Sequence, residues 1–182
     1  MKIISGKLKG RNIKGFDING TRPTMDRVKE SVFSMIQNSI NDSCVLDLFS
    51  GSGNLGIEAI SNGANYVYFN DKNIKCAKII KENLVNFNVL DNYFITNMDY
   101  REALNYYKNK NIKFDIVFLD PPYKENIIND ILNKLLECDL LNNKALIICE
   151  FTKKEIYLSS QLALIKEKKY GEKYVYIYKY DN

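Results

Sequence analysis

The chain has no histidine, no tryptophan and only three prolines and four cysteines among its 182 residues. Without histidine, Ser-His and Cys-His nucleophile chemistry and His-ligated zinc are excluded. The cysteines, Cys44, Cys76, Cys138 and Cys149, never fall at C-x-x-C spacing, so a zinc ribbon or thioredoxin motif is not expected. Scattered over apolar positions, they read as free thiols of a reducing compartment. No apolar run approaches the ~18 residues of a membrane span. The N-terminus reaches Lys7 without an apolar stretch, so no secretory signal is expected and the cytosol is the default location.

What is present fits one globular unit: 46% hydrophobic residues, mean hydropathy −0.29 and a length inside the usual domain range. One domain over 1–182 is expected, with 1–23 an N-terminal extension and 24–182 the core. The net charge of +4 is unevenly placed. Residues 1–30 carry eight Lys or Arg against three Asp or Glu, and the remainder 18 against 19. The 22 lysines, 23 asparagines and 22 isoleucines match what A/T-rich coding produces, so lysine content alone says little. Segregated charge, including Arg11 and Arg22, half of the four arginines, suggests an anion-facing arm.

Residues 2–16 read as a hairpin turning between Gly6 and Gly10, exposed and adding little to the core. Thr24 is positioned to cap a helix whose apolar face is Val28, Val32, Met35, Ile36 and Ile40. Then strand-like runs (Cys44–Phe49, Tyr66–Phe69, Tyr93–Thr96, Phe114–Leu119, Ala145–Phe151) alternate with helical stretches (Asn54–Asn62 stopping at Gly63, Asn73–Phe87, Arg101–Lys108, Ile127–Cys138). That alternation predicts an α/β fold of three layers around a parallel sheet. Leu162–Lys168 and Tyr174–Tyr180 are too close for a crossover helix and predict a closing antiparallel hairpin. Tyr174, Tyr176, Tyr178 and Tyr180 share one strand face, as a stacking platform or as a face packed by a helix.

Two motifs carry chemistry. After the first strand, Gly51, Gly53 and Gly56 satisfy G-x-G-x-x-G, with Asp71 twenty residues beyond Gly51. By spacing alone this admits a dinucleotide. Asp47, however, points an acid at the glycine turn. It would repel a pyrophosphate and can hold the ammonium and sulfonium portion of S-adenosylmethionine (AdoMet). Asp71 can accept from a ribose diol in either case. Asp99 can accept from an adenine amino group, cap the following helix, or both. The second motif, Asp120-Pro121-Pro122-Tyr123, ends the apolar strand and uses two of the three prolines. A proline pair stiffens the turn. It leaves the Asp120 carboxylate and Pro121 carbonyl as rigid acceptors for both hydrogens of an exocyclic amine. Accepting both favours the tetrahedral nitrogen that attacks a methyl group. Tyr123 offers a flat face to stack the base.

Four stretches together carry a resemblance: Arg22-Pro23-Thr24 with Asp26 to Glu30 and Phe33; Leu46 to Gly53 through Ala59; Asp120 to Tyr123; and Tyr170-Gly171. Over nearly its whole length the chain resembles the bacterial 16S rRNA (guanine(966)-N(2))-methyltransferase family of class I AdoMet-dependent methyltransferases. Lys29 stands where the family pattern has arginine, and Ser50, Asn54 and Asn70 also depart from it.

The resemblance implies a Rossmann-like fold with a seven-stranded mixed sheet and an N-terminal β-hairpin extension. It implies methyl transfer from AdoMet to a guanine N2 in small-subunit rRNA, within the subunit or an assembly intermediate, by a cytoplasmic monomer. Asp47, Phe49, Gly51, Ser52, Gly53, Asp71 and Asp99 are then the AdoMet residues, and Asp120, Pro121, Pro122 and Tyr123 the catalytic ones. Lys7, Lys9, Arg11 and Arg22 would face RNA phosphate, and no metal is needed. Asp-Pro-Pro-Tyr takes an adenine N6 equally well, so an N6-adenine methyltransferase stays open, as does a non-catalytic RNA-binding protein on this scaffold.

Overall fold

The computed structural model describes residues 1–15, 22–122, 127–151, 157 and 159–181. In chain order the elements are α1 (Arg22–Ile40), β1 (Cys44–Asp47), α2 (Asn54–Ser61), β2 (Tyr66–Asn70), α3 (Ile74–Asn86) and β3 (Tyr93–Thr96). They continue with α4 (Tyr100–Asn109), β4 (Phe114–Leu119), α5 (Ile128–Glu137), β5 (Leu141–Phe151), β6 (Leu162–Tyr170) and β7 (Lys173–Tyr180). One seven-stranded sheet runs β3-β2-β1-β4-β5-β7-β6. Strands β1 to β5 pair in parallel, and β7 lies antiparallel between β5 and β6. The expected α/β class and the closing hairpin are both present.

Side-chain alternation builds the layers. On β1, β4, β5 and β7, Val45, Ile116, Phe118, Ile148 and Ile177 face a core shared with α1, α2 and α3. Their neighbours Leu46, Val117, Leu119, Cys149 and Tyr176 face the opposite core, under α4 and α5. Each strand is thus covered on both faces, which is why these runs are continuously apolar. Tyr176 and Tyr178 are fully buried and Tyr180 nearly so, so the tyrosine stripe is packing and not a stacking platform. Chain order reverses at β1, which lies between β2 and β4. A crevice at the carboxyl ends of β1 and β4 is the expected ligand site of such a sheet.

Several boundaries differ from the sequence reading. α1 starts at Arg22, so Thr24 lies inside the helix and not at its N-cap position. β5 starts at Leu141, four residues before the apolar run. Leu141 pairs with Phe114 ahead of a register shift, and Lys144 at φ 68° breaks the alternation that marks a strand.

The arm departs most. Its strands meet at one bridge, Lys2 with Asn12, and Ile3 N–H donates to the Arg11 carbonyl at 3.0 Å. It is not a loose exposed hairpin: Ile3 and Ile13 are buried in the α1–α3 core. Beneath it lies an ion pair between Lys29 of α1 and Glu58 of α2, at 2.9 Å, with side chains 2% and 0% exposed. Glu58 also accepts from the backbone N–H of Ile4 and Ser5 and from the Ser5 hydroxyl. Lys29 donates to the Lys2 carbonyl at 2.6 Å.

Candidate active site

β1 delivers Asp47 to the crevice, and the chain then makes the glycine turn into α2. Gly51 has φ 53° and a side chain there would meet open space, so the backbone borders a cavity. Gly56 serves packing: a Cβ there would lie 2.2 Å from the Phe69 ring, so α2 sits close on β2. The turn is tied to the end of β2, with Ser50 N–H donating to the Asn70 carbonyl at 2.9 Å and Asn70 N–H to the Ser50 hydroxyl at 3.0 Å. The Asn70 amide itself donates to the carbonyls of Leu48 and Met98, joining three loops at the crevice.

The amides of the three glycines are already engaged. Gly51 N–H donates to Asp71 at 2.9 Å, Gly53 N–H to the Ser50 carbonyl at 2.7 Å and Gly56 N–H to Asp47 at 3.0 Å. A pyrophosphate cradle needs such donors turned outward. Here they point inward and two of them end on carboxylates, so the spacing that admitted a dinucleotide does not make a phosphate site.

Two cavities flank the turn. One, about 290 Å³, is bordered by Phe49, Gly51, Asp71, Asp99, Pro121 and Pro122. The other, about 270 Å³, is bordered by Asp47, Ser52, Lys29, Glu150 and the arm residues Met1 and Ile13. Phe49, Gly51 and Asp120 belong to both walls. Asp99 caps α4 through Arg101 N–H at 3.0 Å in a full capping box with Glu102 while bordering the first cavity, so the two expected roles coexist.

Burial dominates the electrostatics. It pushes the Asp47 carboxyl up to about 7, against the Gly56 N–H, and nearby Asp71 adds to the rise. Asp120 is also pushed up to about 7, first by burial and then by the negative charge of Glu150, with Lys173 acting the other way. A crevice lined by carboxylates suits a cation with hydroxyl and amine donors. An acid with a pKa near neutrality suits proton acceptance.

The structure gathers Asp47, Phe49, Gly51, Ser52, Asp71, Asp99, Asp120, Pro121 and Pro122 around this crevice, whereas Gly53, in the same turn, faces Ile57 and Ile80. Tyr123 and the side chain of Arg22 lie outside the described residues. Lys7 and Lys9 are exposed on the arm. Arg11 donates to the Phe87 carbonyl at 3.1 Å and lies over the Phe87 ring, so it ties the arm to the end of α3. Sequence reasoning missed Lys29, Glu58, Asn70, Glu150 and Lys173. A signal existed for one: Lys29 falls on the helical stripe of Phe33, Ile36 and Ile40.

The family described as Conserved hypothetical protein 95 matches residues 1–179. The Bacillus subtilis protein YlbH is 36% identical over 182 residues, covering 98% of each chain. "Ribosomal RNA small subunit methyltransferase D" of Haemophilus influenzae is 35% identical over 94% of this chain and 89% of its own length. Among solved structures, the Escherichia coli protein yhhF superposes with a TM-score of 0.86 at 29% identity, covering 100% of this chain and 98% of that one.

Proposed function

The chain belongs to the Conserved hypothetical protein 95 family, together with the ribosomal RNA small subunit methyltransferases D, and on that footing we propose how its crevice works. It is an AdoMet-dependent rRNA methyltransferase that modifies the exocyclic N2 of a guanine in 16S rRNA. The observation that carries this is the shared wall: Asp120 borders both the cavity with Asp71 and Asp99 and the one with Asp47.

The donor set fits AdoMet. Asp47 suits its ammonium, Asp71 its ribose diol and Asp99 its adenine amine, with Phe49, Gly51 and Ser52 forming the surface between them. When bound, AdoMet supplies an electrophilic methyl on a sulfonium that departs as a neutral thioether. The protein's part is to hold the acceptor. Asp120 and the Pro121 carbonyl take the two hydrogens of the guanine amine, Pro122 stiffens the turn and Tyr123 stacks the base. Asp120, poised near neutrality by burial, accepts the proton that the amine loses.

A guanine within folded RNA must leave its stack to enter such a crevice. Lys7 and Lys9, exposed on the arm, are assigned to phosphate, as is Arg22. The substrate is the small subunit or its assembly intermediate, and the enzyme works as a cytoplasmic monomer, with 1–23 an extension of a 24–182 catalytic core. Among the described residues no helix is long and apolar enough to cross a membrane.

The test incubates the protein with labelled AdoMet and, separately, naked rRNA, undermethylated small subunits and duplex DNA, then digests and identifies the nucleoside. Label in N2-methylguanosine from rRNA or subunits is the expected result. Label in N6-methyladenosine overturns the base assignment, and no label in any substrate overturns the activity.

A further inference from the structure

The two acceptors of the Asp120 motif do not distinguish a guanine N2 from an adenine N6, because each is an exocyclic amine with two hydrogens. The bases differ one atom away. Beside its amine guanine has N1–H, a donor, whereas adenine has a bare N1, an acceptor. A site that reads guanine therefore needs a further acceptor next to Asp120.

Strand register puts one there. β4 and β5 pair in parallel with Leu119 opposite Cys149, so the next residues on each strand, Asp120 and Glu150, sit side by side. Adjacent strands are about 4.8 Å apart, the scale on which two carboxylates address neighbouring atoms of one ring. Both residues border the same cavity, and the Glu150 side chain is 15% exposed. Glu150 pairs with Lys173, which enters from the antiparallel strand β7. That ion pair fixes the direction of the carboxylate. A carboxylate offers about four lone-pair positions, so an ion pair and a ring N–H can share one. Below the two acids the wall is apolar, from Phe118, Ile148 and Val175, as suits the flat body of a purine.

The geometry points to Glu150 as the residue that selects guanine, accepting N1–H while Asp120 and the Pro121 carbonyl hold the N2 amine. This rests on the reading that the crevice methylates an exocyclic amine. It adds the reason for one base over another: the bare N1 of an adenine edge would meet an anion here, and neither side would have a hydrogen to share. Lys173 acts through Glu150 and is a positioning residue.

The experiment uses the full chain and two versions of one rRNA substrate, with guanine or 2,6-diaminopurine at the target position. Diaminopurine keeps the 2-amino group but carries a bare N1. Wild-type protein is expected to methylate the guanine substrate at least ~10²-fold faster in kcat/KM, since sites built around a substrate hydrogen bond reject analogues lacking it by large factors. In Glu150→Gln the amide can donate to a bare N1, and the preference should shrink by ~10-fold or more or reverse. AdoMet binding, read by calorimetry, should stay within about twofold in the variant. Equal rates of wild-type protein on both substrates overturn the inference without any variant, so it stays testable even if Glu150→Gln fails to fold. A folded Glu150→Gln with wild-type discrimination overturns it as well. Wild-type transfer to neither base overturns the methyltransferase reading itself, a failure separate from these two.

Discussion

Replacing Lys29 with methionine tests how the arm is held over the crevice. The change conserves length and roughly volume, so packing should survive. What is lost is the cation in a fully enclosed site, 2.9 Å from Glu58, together with its bonds to the Lys2 carbonyl and Asn54 Oδ1. Removing one partner of a buried pair typically costs ~3–5 kcal/mol, because the other charge stays behind without compensation. Glu58 retains the Ile4 and Ser5 donors, which argues for the lower end, near ~3 kcal/mol. For a chain of this size that is a fall in Tm of roughly 6–12 °C.

The assay is urea and thermal unfolding, combined with hydrogen exchange at the amides of Ile3, Gly10 and Ile13, which bond within the arm. Those amides should lose protection more than the strand amides of β4. The double variant Lys29→Met/Glu58→Leu should be less damaged than the single one, since removing both charges of a buried pair is far cheaper than stranding one. A loss below ~1 kcal/mol would mean that the pair is hydrated like a surface bridge, and the argument would fail. Global destabilisation with unchanged arm protection would refute the tie between pair and arm.

The other perturbations are more local. Asp47→Asn should weaken AdoMet binding by ~1.5–3 kcal/mol by calorimetry, the scale of a hydrogen bond to a charged group, and tight NAD binding instead would refute the assignment. Asp120→Ala should cut single-turnover rates by ~10²–10³ with AdoMet affinity nearly intact, and a rate within about threefold of wild type would make Asp120 structural. Burial raises both acids to about 7, so the folded chain holds protons that the unfolded chain has released. Their contribution to stability is therefore complete at acid pH and lost as pH rises through about 7. The urea midpoint should carry that downward component between about pH 4 and 7, and Asp47→Asn and Asp120→Asn should each flatten it. Gly56→Ala should cost ~1–3 kcal/mol, because its methyl would enter the Phe69 ring. Lys7→Ala/Lys9→Ala should lower the salt slope of binding to duplex-like RNA by ~0.9 for each phosphate that the arm no longer neutralises, with the melt unchanged.

Much of the crevice was legible because its signals are local. A strand buried on both faces must be continuously apolar, so β1 and β4 could be located from composition, and the acids at their ends followed. Asp99 could be read as a cap from its place just before a helix, and the structure adds Glu102 as its capping-box partner. The Asp120–Glu150 pairing was not legible in the same way. It depends on register between two strands with a helix between them, and Glu150 follows an apolar run without any motif of its own.

The arm shows where charge arithmetic stops being informative. The excess of eight basic over three acidic residues in the first thirty is a correct count, but a count cannot say which charges face outward. Lys29 is spent on Glu58, Lys14 pairs with Glu82 at 2.6 Å and Arg11 is bound to the end of α3. Three of the eight thus have partners that lie 29 to 76 residues further on, invisible to a window that ends at residue 30. The same interactions explain why the arm is not a free hairpin. Ile3 and Ile13 bury apolar surface, and Glu58 gathers the amides between them and the turn. Because Met1 and Ile13 border the cavity of Asp47 and Asp120, the arm is a wall of the crevice before it is a surface for RNA. A triple Lys7/Lys9/Arg11 alanine variant would mix the two roles. Arg11→Ala alone should therefore lower stability, through its missing bond to the Phe87 carbonyl, while leaving the salt slope of RNA binding in place. A slope reduced as much by Arg11→Ala as by Lys7→Ala would mean that Arg11 leaves Phe87 to meet phosphate, and the arm would move when RNA binds.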